Sequence, residues 1–225
     1  MKAFTWSFSK IKNNDDCSRR HYELDLRKPK IFVEKESEQL VWGNKVHSAL
    51  ETALLSKTPL PVEMKPYQHW VDRVAAGAGE LLVEQKFALT RDFQPCEYFG
   101  PRVWYRGRCD ALRIDGPVAI AVDWKTGKMK HDARQLMLMA ACIFAYHPEV
   151  KKILTRFVWL QEDCATDETY TRADIAREWV HLLPHVAAYE AQVAANSFPP
   201  KPNFLCRAYC PVSSCEFYQK ITNRR

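Results

Sequence analysis

The sequence predicts an α/β protein with a mixed central sheet flanked by helices. Three observations carry this. Val118-Ala119-Ile120-Ala121-Val122 is an unbroken small and β-branched run, the pattern of a strand buried on both faces. A second strand-like stretch, Arg106 to Ile114, precedes it across Asp115-Gly116-Pro117, so the two form a hairpin. Helical periodicity brackets that hairpin on both sides. A chain of 225 residues buries one substantial core, and a single domain spanning 1–225 is expected.

In chain order, Thr5 to Ile11 opens with hydroxyl side chains suited to capping a first helix, and Arg27-Lys28-Pro29-Lys30 marks a basic loop. Ser37 caps a helix to about Leu55, with Leu40, Val41, Val46, Leu50 and Leu54 on its apolar side and His47 beside that stripe. Pro59-Leu60-Pro61 is a linker. Tyr67, Trp70, Val71, Val74, Ala78 and Leu81 then fall at helical spacing. Leu82 to Leu89 reads as a strand, with Val83, Gln85, Phe87 and Leu89 alternating against Glu84, Lys86 and Ala88. After the hairpin, Asp132 caps a helix through Tyr146, with Arg134 and Gln135 in its first turn placed to meet a phosphate. Ile153 to Leu160 is a further strand, and Thr171 to Ala195 a long helix containing Pro184. Ser197 to Pro202 is an extended linker into a cysteine-bearing tail.

Chemistry enters where the apolar run ends, at Asp123-Trp124-Lys125-Thr126-Gly127. Period-two geometry sets Asp123 and Lys125 on one face and Trp124 on the other. A core strand does not ordinarily present a carboxylate beside an ammonium, because desolvating both is expensive. The hairpin brings Asp110 toward Asp123. Two carboxylates supply hard oxygen ligands for Mg²⁺ or Mn²⁺, and the lysine can position a water and offset charge at phosphorus. Read alone, Asp-x-Lys is a surface salt bridge and His47 a histidine at the edge of the core.

Together, Gly107-x-x-Asp110 and Asp123-x-Lys125-Thr126-Gly127 resemble the PD-(D/E)XK nucleases, in particular their RecB-like exonuclease branch. Gly43-x-x-x-His47 is similar to the branch's G-x-x-x-H helix, Glu84-x-Lys86 to its E-x-K strand, and Gln135 to the glutamine of its Q-x-x-x-Y helix. The tyrosine of that last motif is Met139 here, so its DNA contact does not carry over. The resemblance implies a restriction-endonuclease-like αβββαβ core and a metal-dependent DNA exonuclease. It makes His47, Asp110, Asp123 and the carbonyl of Trp124 metal ligands. Asp110, Asp123, Lys125, Glu84 and Gln135 become the catalytic set, and Arg134 and Gln135 DNA contacts. A structure-selective endonuclease, or a DNA-binding recombination subunit with a dispensable nuclease site, are the alternatives. The analogy extends to a phage or prophage recombination enzyme and to a partner such as a single-strand annealing protein or a helicase.

The net charge of +6, spread along the chain, suits a polyanionic substrate without demanding one. No apolar run is long enough to span a membrane and no signal peptide opens the chain, so a cytoplasmic protein with no membrane contact is expected. Of eight cysteines, Cys109 and Cys142 sit in apolar surroundings and read as buried thiols. Cys206, Cys210 and Cys215 fall within ten residues, with Pro211 after the second, a density that points to metal ligation in an intracellular protein. Cys17 is the candidate fourth ligand. RecB-like relatives carry a 4Fe–4S cluster on one N-terminal and three C-terminal cysteines, which implies the same here, although the middle ligand is shifted by one residue. Zinc and free thiols are the other readings. In the metal readings the segments around 1–30 and 197–225 come together as a staple.

Overall fold

The computed structural model describes residues 4–27, 37–130, 132–207 and 209–219; most of the basic loop at 27–30 lies outside them. The chain divides into two compact units. One is built around Ser37–Val180; the other takes the segments from Trp6 onward and from His181 onward.

Among the described residues of the first unit, five strands form one sheet in the order β1-β2-β3-β4-β5. They are β1 (Glu80–Leu89), β2 (Tyr105–Asp115), β3 (Val118–Lys125), β4 (Lys152–Trp159) and β5 (Cys164–Thr171). All neighbours are antiparallel except β3 and β4, whose parallel pairing requires the crossover helix α5 (Ala133–Tyr146). β5 was not foreseen. Its sequence, Cys164-Ala165-Thr166-Asp167-Glu168-Thr169-Tyr170-Thr171, lacks a continuous apolar face because it forms a half-buried edge, where a charged strand resists further pairing.

Helix α3 (Glu38–Ser56) starts where expected, with Ser37 Oγ accepting from the Leu40 N–H. Its stripe begins later than periodicity suggested. Leu40 and Val41 are exposed, whereas Val46, Leu50, Ala53 and Leu54 are buried with Trp70, Val71, Val122, Trp124 and Val158. The following helix is also shorter than its apolar spacing implied. A 3₁₀ turn (Val62–Tyr67) leads into α4 (Gln68–Ala75), and Gly77-Ala78-Gly79 stops it, so Leu81 belongs to β1. Gly79 has φ +84°, and a Cβ there would stand 2.0 Å from the Ile114 carbonyl oxygen. Arg113 seals this junction by donating to the carbonyls of Val74, Ala75 and Gly79.

Within β1 the expected alternation fails at Glu84, whose φ is +52°. Val83 packs on the α3–α4 cluster, but Phe87, an even number of residues along, packs edge-on against Tyr146 of α5. The left-handed residue reverses the pleat, moving every later side chain to the opposite face.

The second unit contains α1 (Phe8–Asp16, capped by Ser7), α2 (Ser18–His21), a π-helical segment (Tyr22–Arg27) and the later turns of α6 (Arg172–Ala194). Its anchor is the buried His21, whose ring nitrogens meet Asp25 Oδ2 at 2.6 Å and the Tyr189 hydroxyl at 2.8 Å. Tyr22 stacks on Phe198, 4.6 Å between ring centroids.

Candidate active site

The β2–β3 ladder runs from Asp115↔Val118 to Ala111↔Val122 and then stops. The next pair would be Asp110 and Asp123. There Asp110 Oδ2 accepts from the Trp124 N–H at 2.7 Å, a side-chain bond in place of a ladder bond. Asp110 therefore sits in the opening between the strands, with Glu84 at the matching position of β1 on its other side. The gap between Val83↔Ala111 and Gln85↔Cys109 is the place where Glu84 and Asp110 face each other. The three carboxylates line one row across the sheet.

Two helices close on this row from opposite sides. Trp124 packs with α3, so Asp123 and Lys125, alternating with it, face α5. From α3, His47 Nδ1 approaches Asp110 Oδ2 at 3.5 Å. Donor atoms of His47, Glu84 and Asp110 all lie within 4.8 Å of one another. Gly43, one turn before His47, makes room: a Cβ there would meet Thr126 Oγ1 at 3.0 Å. From α5, Gln135 donates its amide to Asp123 Oδ1 at 2.8 Å and accepts from Lys125 Nζ at 2.9 Å. Lys125 Nζ also lies 2.6 Å from Asp123 Oδ2 and 4.6 Å from the Phe157 ring centroid. The lysine is thus held by a carboxylate, an amide oxygen and an aromatic face.

Burial and mutual repulsion perturb these groups. Burial pushes the Asp123 carboxyl up to about 6 against the pull of Lys125, and Asp110 adds to the rise. Glu84 is raised by burial and then by the charge of Asp110, with Arg108 opposing. Burial pulls His47 down, but the hydrogen bond and charge of Asp110, then Asp123 and Glu84, outweigh it and leave the imidazole above its ordinary value. Carboxyls crowded in this way are relieved by a divalent cation.

His47, Glu84 and Asp110 form one donor group. Asp123, Lys125 and Gln135 form an adjoining hydrogen-bonded network. The Trp124 side chain is in the core, and its N–H is the partner of Asp110. Arg134 is engaged beside Gln135 by its own cap residue, with Nε 3.0 Å from Asp132 Oδ1. Residues not singled out include Arg108, 3.6 Å from Glu84 Oε2, and Phe157 under the lysine. The signal for Arg108 was its place two residues before Asp110; Phe157 had no signal beyond an ordinary strand pattern.

In the second unit, Cys17, Cys206, Cys210 and Cys215 line one small cavity with Arg20, Lys201 and Val212. Cys17 Sγ accepts from the Lys201 N–H at 3.4 Å. Burial raises the Cys210 thiol, with Cys206 and Cys17 adding to the rise. The thiols Cys109 and Cys142 are fully buried, as expected.

A carboxylate row with an adjoining lysine on a mixed sheet can hold a divalent cation beside a fixed ammonium. The chain belongs to the PD-(D/E)XK nuclease superfamily, whose family model matches residues 5–215. By sequence, no curated protein matches. Among solved structures it is similar to a candidate exonuclease from Eubacterium rectale, at 14% identity and a TM-score of 0.54, covering 91% of this chain and 86% of that one. It is also similar to SSO0001, at 16% identity and a TM-score of 0.45, covering 97% and 89%. The first similarity shows a shared fold.

Proposed function

We propose that this protein is a metal-dependent deoxyribonuclease acting as an exonuclease in DNA recombination, repair or processing. One observation carries the reading: the donor group of His47, Glu84 and Asp110 adjoins a lysine whose ammonium is fixed by Asp123 and Gln135. Oxygen donors with one imidazole fit Mg²⁺ or Mn²⁺. His47, Glu84, Asp110 and Asp123 would hold the metal, the Trp124 carbonyl being a further ligand implied by the family resemblance. When bound, the ion polarises the scissile phosphate and neutralises its charge.

The chain's own groups do the rest. Gln135 bridges Asp123 and Lys125, so the ammonium cannot swing away. Lys125 orients the attacking water and meets the negative charge that grows on the phosphoryl oxygens. Water oxygen bonds to phosphorus as the bond to the 3′ oxygen breaks, leaving a 5′-phosphate. Gln135 and Arg134, at the start of α5, meet the substrate backbone. The cavity lined by Cys17, Cys206, Cys210 and Cys215 holds a structural metal centre, best read as 4Fe–4S.

The decisive experiment incubates end-labelled linear and circular DNA with Mg²⁺ or Mn²⁺. Release of nucleotides from linear DNA alone supports the exonuclease. Nicking of circles makes it an endonuclease, and no cleavage of either refutes the assignment.

A further inference from the structure

The loop between β1 and β2 carries a cluster that the catalytic network does not use. Arg106 Nε donates to the Tyr98 carbonyl at 2.7 Å, and its guanidinium carbon lies 5.4 Å from the ring centroids of both Tyr98 and Phe99. The two rings meet edge to face, 88° apart, and Phe99 is 82% exposed. The loop is braced: the Cys96 N–H donates to Ala88 O, the Trp104 N–H donates to Leu89 O, and the Tyr146 hydroxyl is 3.0 Å from Cys96 O. An aromatic ring is therefore held out in solvent on a rigid support with a cation behind it.

Register connects this cluster to the candidate centre. Beyond Glu84 the β1–β2 ladder is regular from Gln85↔Cys109 to Leu89↔Tyr105, so Arg108 and Arg106 leave β2 on one face. The Arg108–Glu84 ion pair sets that face beside the His47, Glu84 and Asp110 group. The exposed Lys86, paired with Arg108 in the register, stands on the same face. Arg106 is four residues from Asp110, about 13 Å along the strand, within reach of a short stretch of extended nucleic acid. Cations that follow a backbone and end at an exposed ring suit an unpaired strand. Bases in a duplex are stacked on one another, whereas a single strand offers their faces.

We propose that Phe99 and Tyr98, backed by Arg106, are a base-stacking platform for single-stranded DNA, whose phosphates run past Lys86 and Arg108 toward Asp110. This rests on the nuclease reading above and specifies its substrate as an unpaired strand. Binding is measured by fluorescence anisotropy in EDTA with labelled oligo-dT and with a blunt duplex of the same length, for the wild type, Phe99→Ala, Phe99→Trp and Lys86→Ala. Phe99→Ala should weaken oligo-dT binding about tenfold, with Phe99→Trp restoring it, and should change duplex binding less than about twofold. Lys86→Ala should lower the salt slope for oligo-dT by about 0.7, while Phe99→Ala leaves that slope unchanged. Wild-type oligo-dT affinity in Phe99→Ala, an equal loss on duplex, or tighter binding of oligo-rU than oligo-dT overturns the platform. Cleavage with Mg²⁺ or Mn²⁺ is scored in parallel. If wild-type protein cleaves while Phe99→Ala binds normally, the platform alone fails. If binding depends on Phe99 yet nothing is cleaved, the nuclease reading alone fails.

Discussion

Removing the charge of Asp123 should stabilise the metal-free protein while abolishing cleavage. Burial pushes its carboxyl up to about 6 in the fold, from an ordinary value of 3.8. The folded state therefore binds more protons than the unfolded state between those values, and stability rises as pH falls through 6 toward 4. Glu84 and His47 are also raised and act in the same direction. For Asp123 the difference of roughly two pH units corresponds to about 3 kcal/mol held back at pH 8. For a domain of this size that is about 6–12 °C in Tm. Calorimetry in EDTA should show metal-free wild type melting higher at pH 5 than at pH 8, and Asp123→Asn flattening the dependence. An amide keeps an oxygen for Lys125 and keeps the shape of the site. Mn²⁺ should raise the wild-type Tm most at pH 8 and Asp123→Asn little. An Asp123→Asn protein with the full wild-type pH slope, or a wild-type slope of opposite sign, would refute the electrostatic account.

Three further outcomes follow from the same geometry. Lys125→Ala should lower the cleavage rate about 10²–10³-fold with DNA binding intact, because the ammonium acts on the transition state; Gln135→Ala should fall between it and wild type in single-turnover assays. Arg113→Ala should destabilise the fold by about 2 kcal/mol in urea titration, since the Val74, Ala75 and Gly79 carbonyls lose a charged donor. Anaerobically purified protein should be brown with about four irons per chain, and Cys→Ser at positions 17, 206, 210 or 215 should lower Tm. Colourless protein with one zinc would change the metal, and metal-free protein with unchanged Tm in all four variants would remove the centre.

Local chemistry and period made much of this protein readable in its sequence. The run at Val118–Val122 marked a strand, Ser37 and Asp132 were cap residues in waiting, and Asp110, Asp123 and Lys125 stood out because a core strand seldom carries such charges. That strand is buried on both faces only from Ala121 to Trp124; Val118 and Ile120, near its start, are exposed. Tertiary structure decided what one-dimensional period cannot encode. Leu40 and Val41 continue an apolar stripe but are exposed, because in the first turns of helix α3 it is Trp42 that packs against the core. β5 is a strand because the edge of β4 offers it hydrogen bonds, whatever its own polarity. Glu84 lies on an alternating pattern, yet its positive φ reverses the pleat and brings its carboxylate to His47 and Asp110. Asp110 meets Trp124 because two strands part where their ladder ends, and Gln135 bridges Asp123 and Lys125 because the crossover helix returns over the β3 end. These are meetings between separate strands and helices, and packing and register fix their geometry.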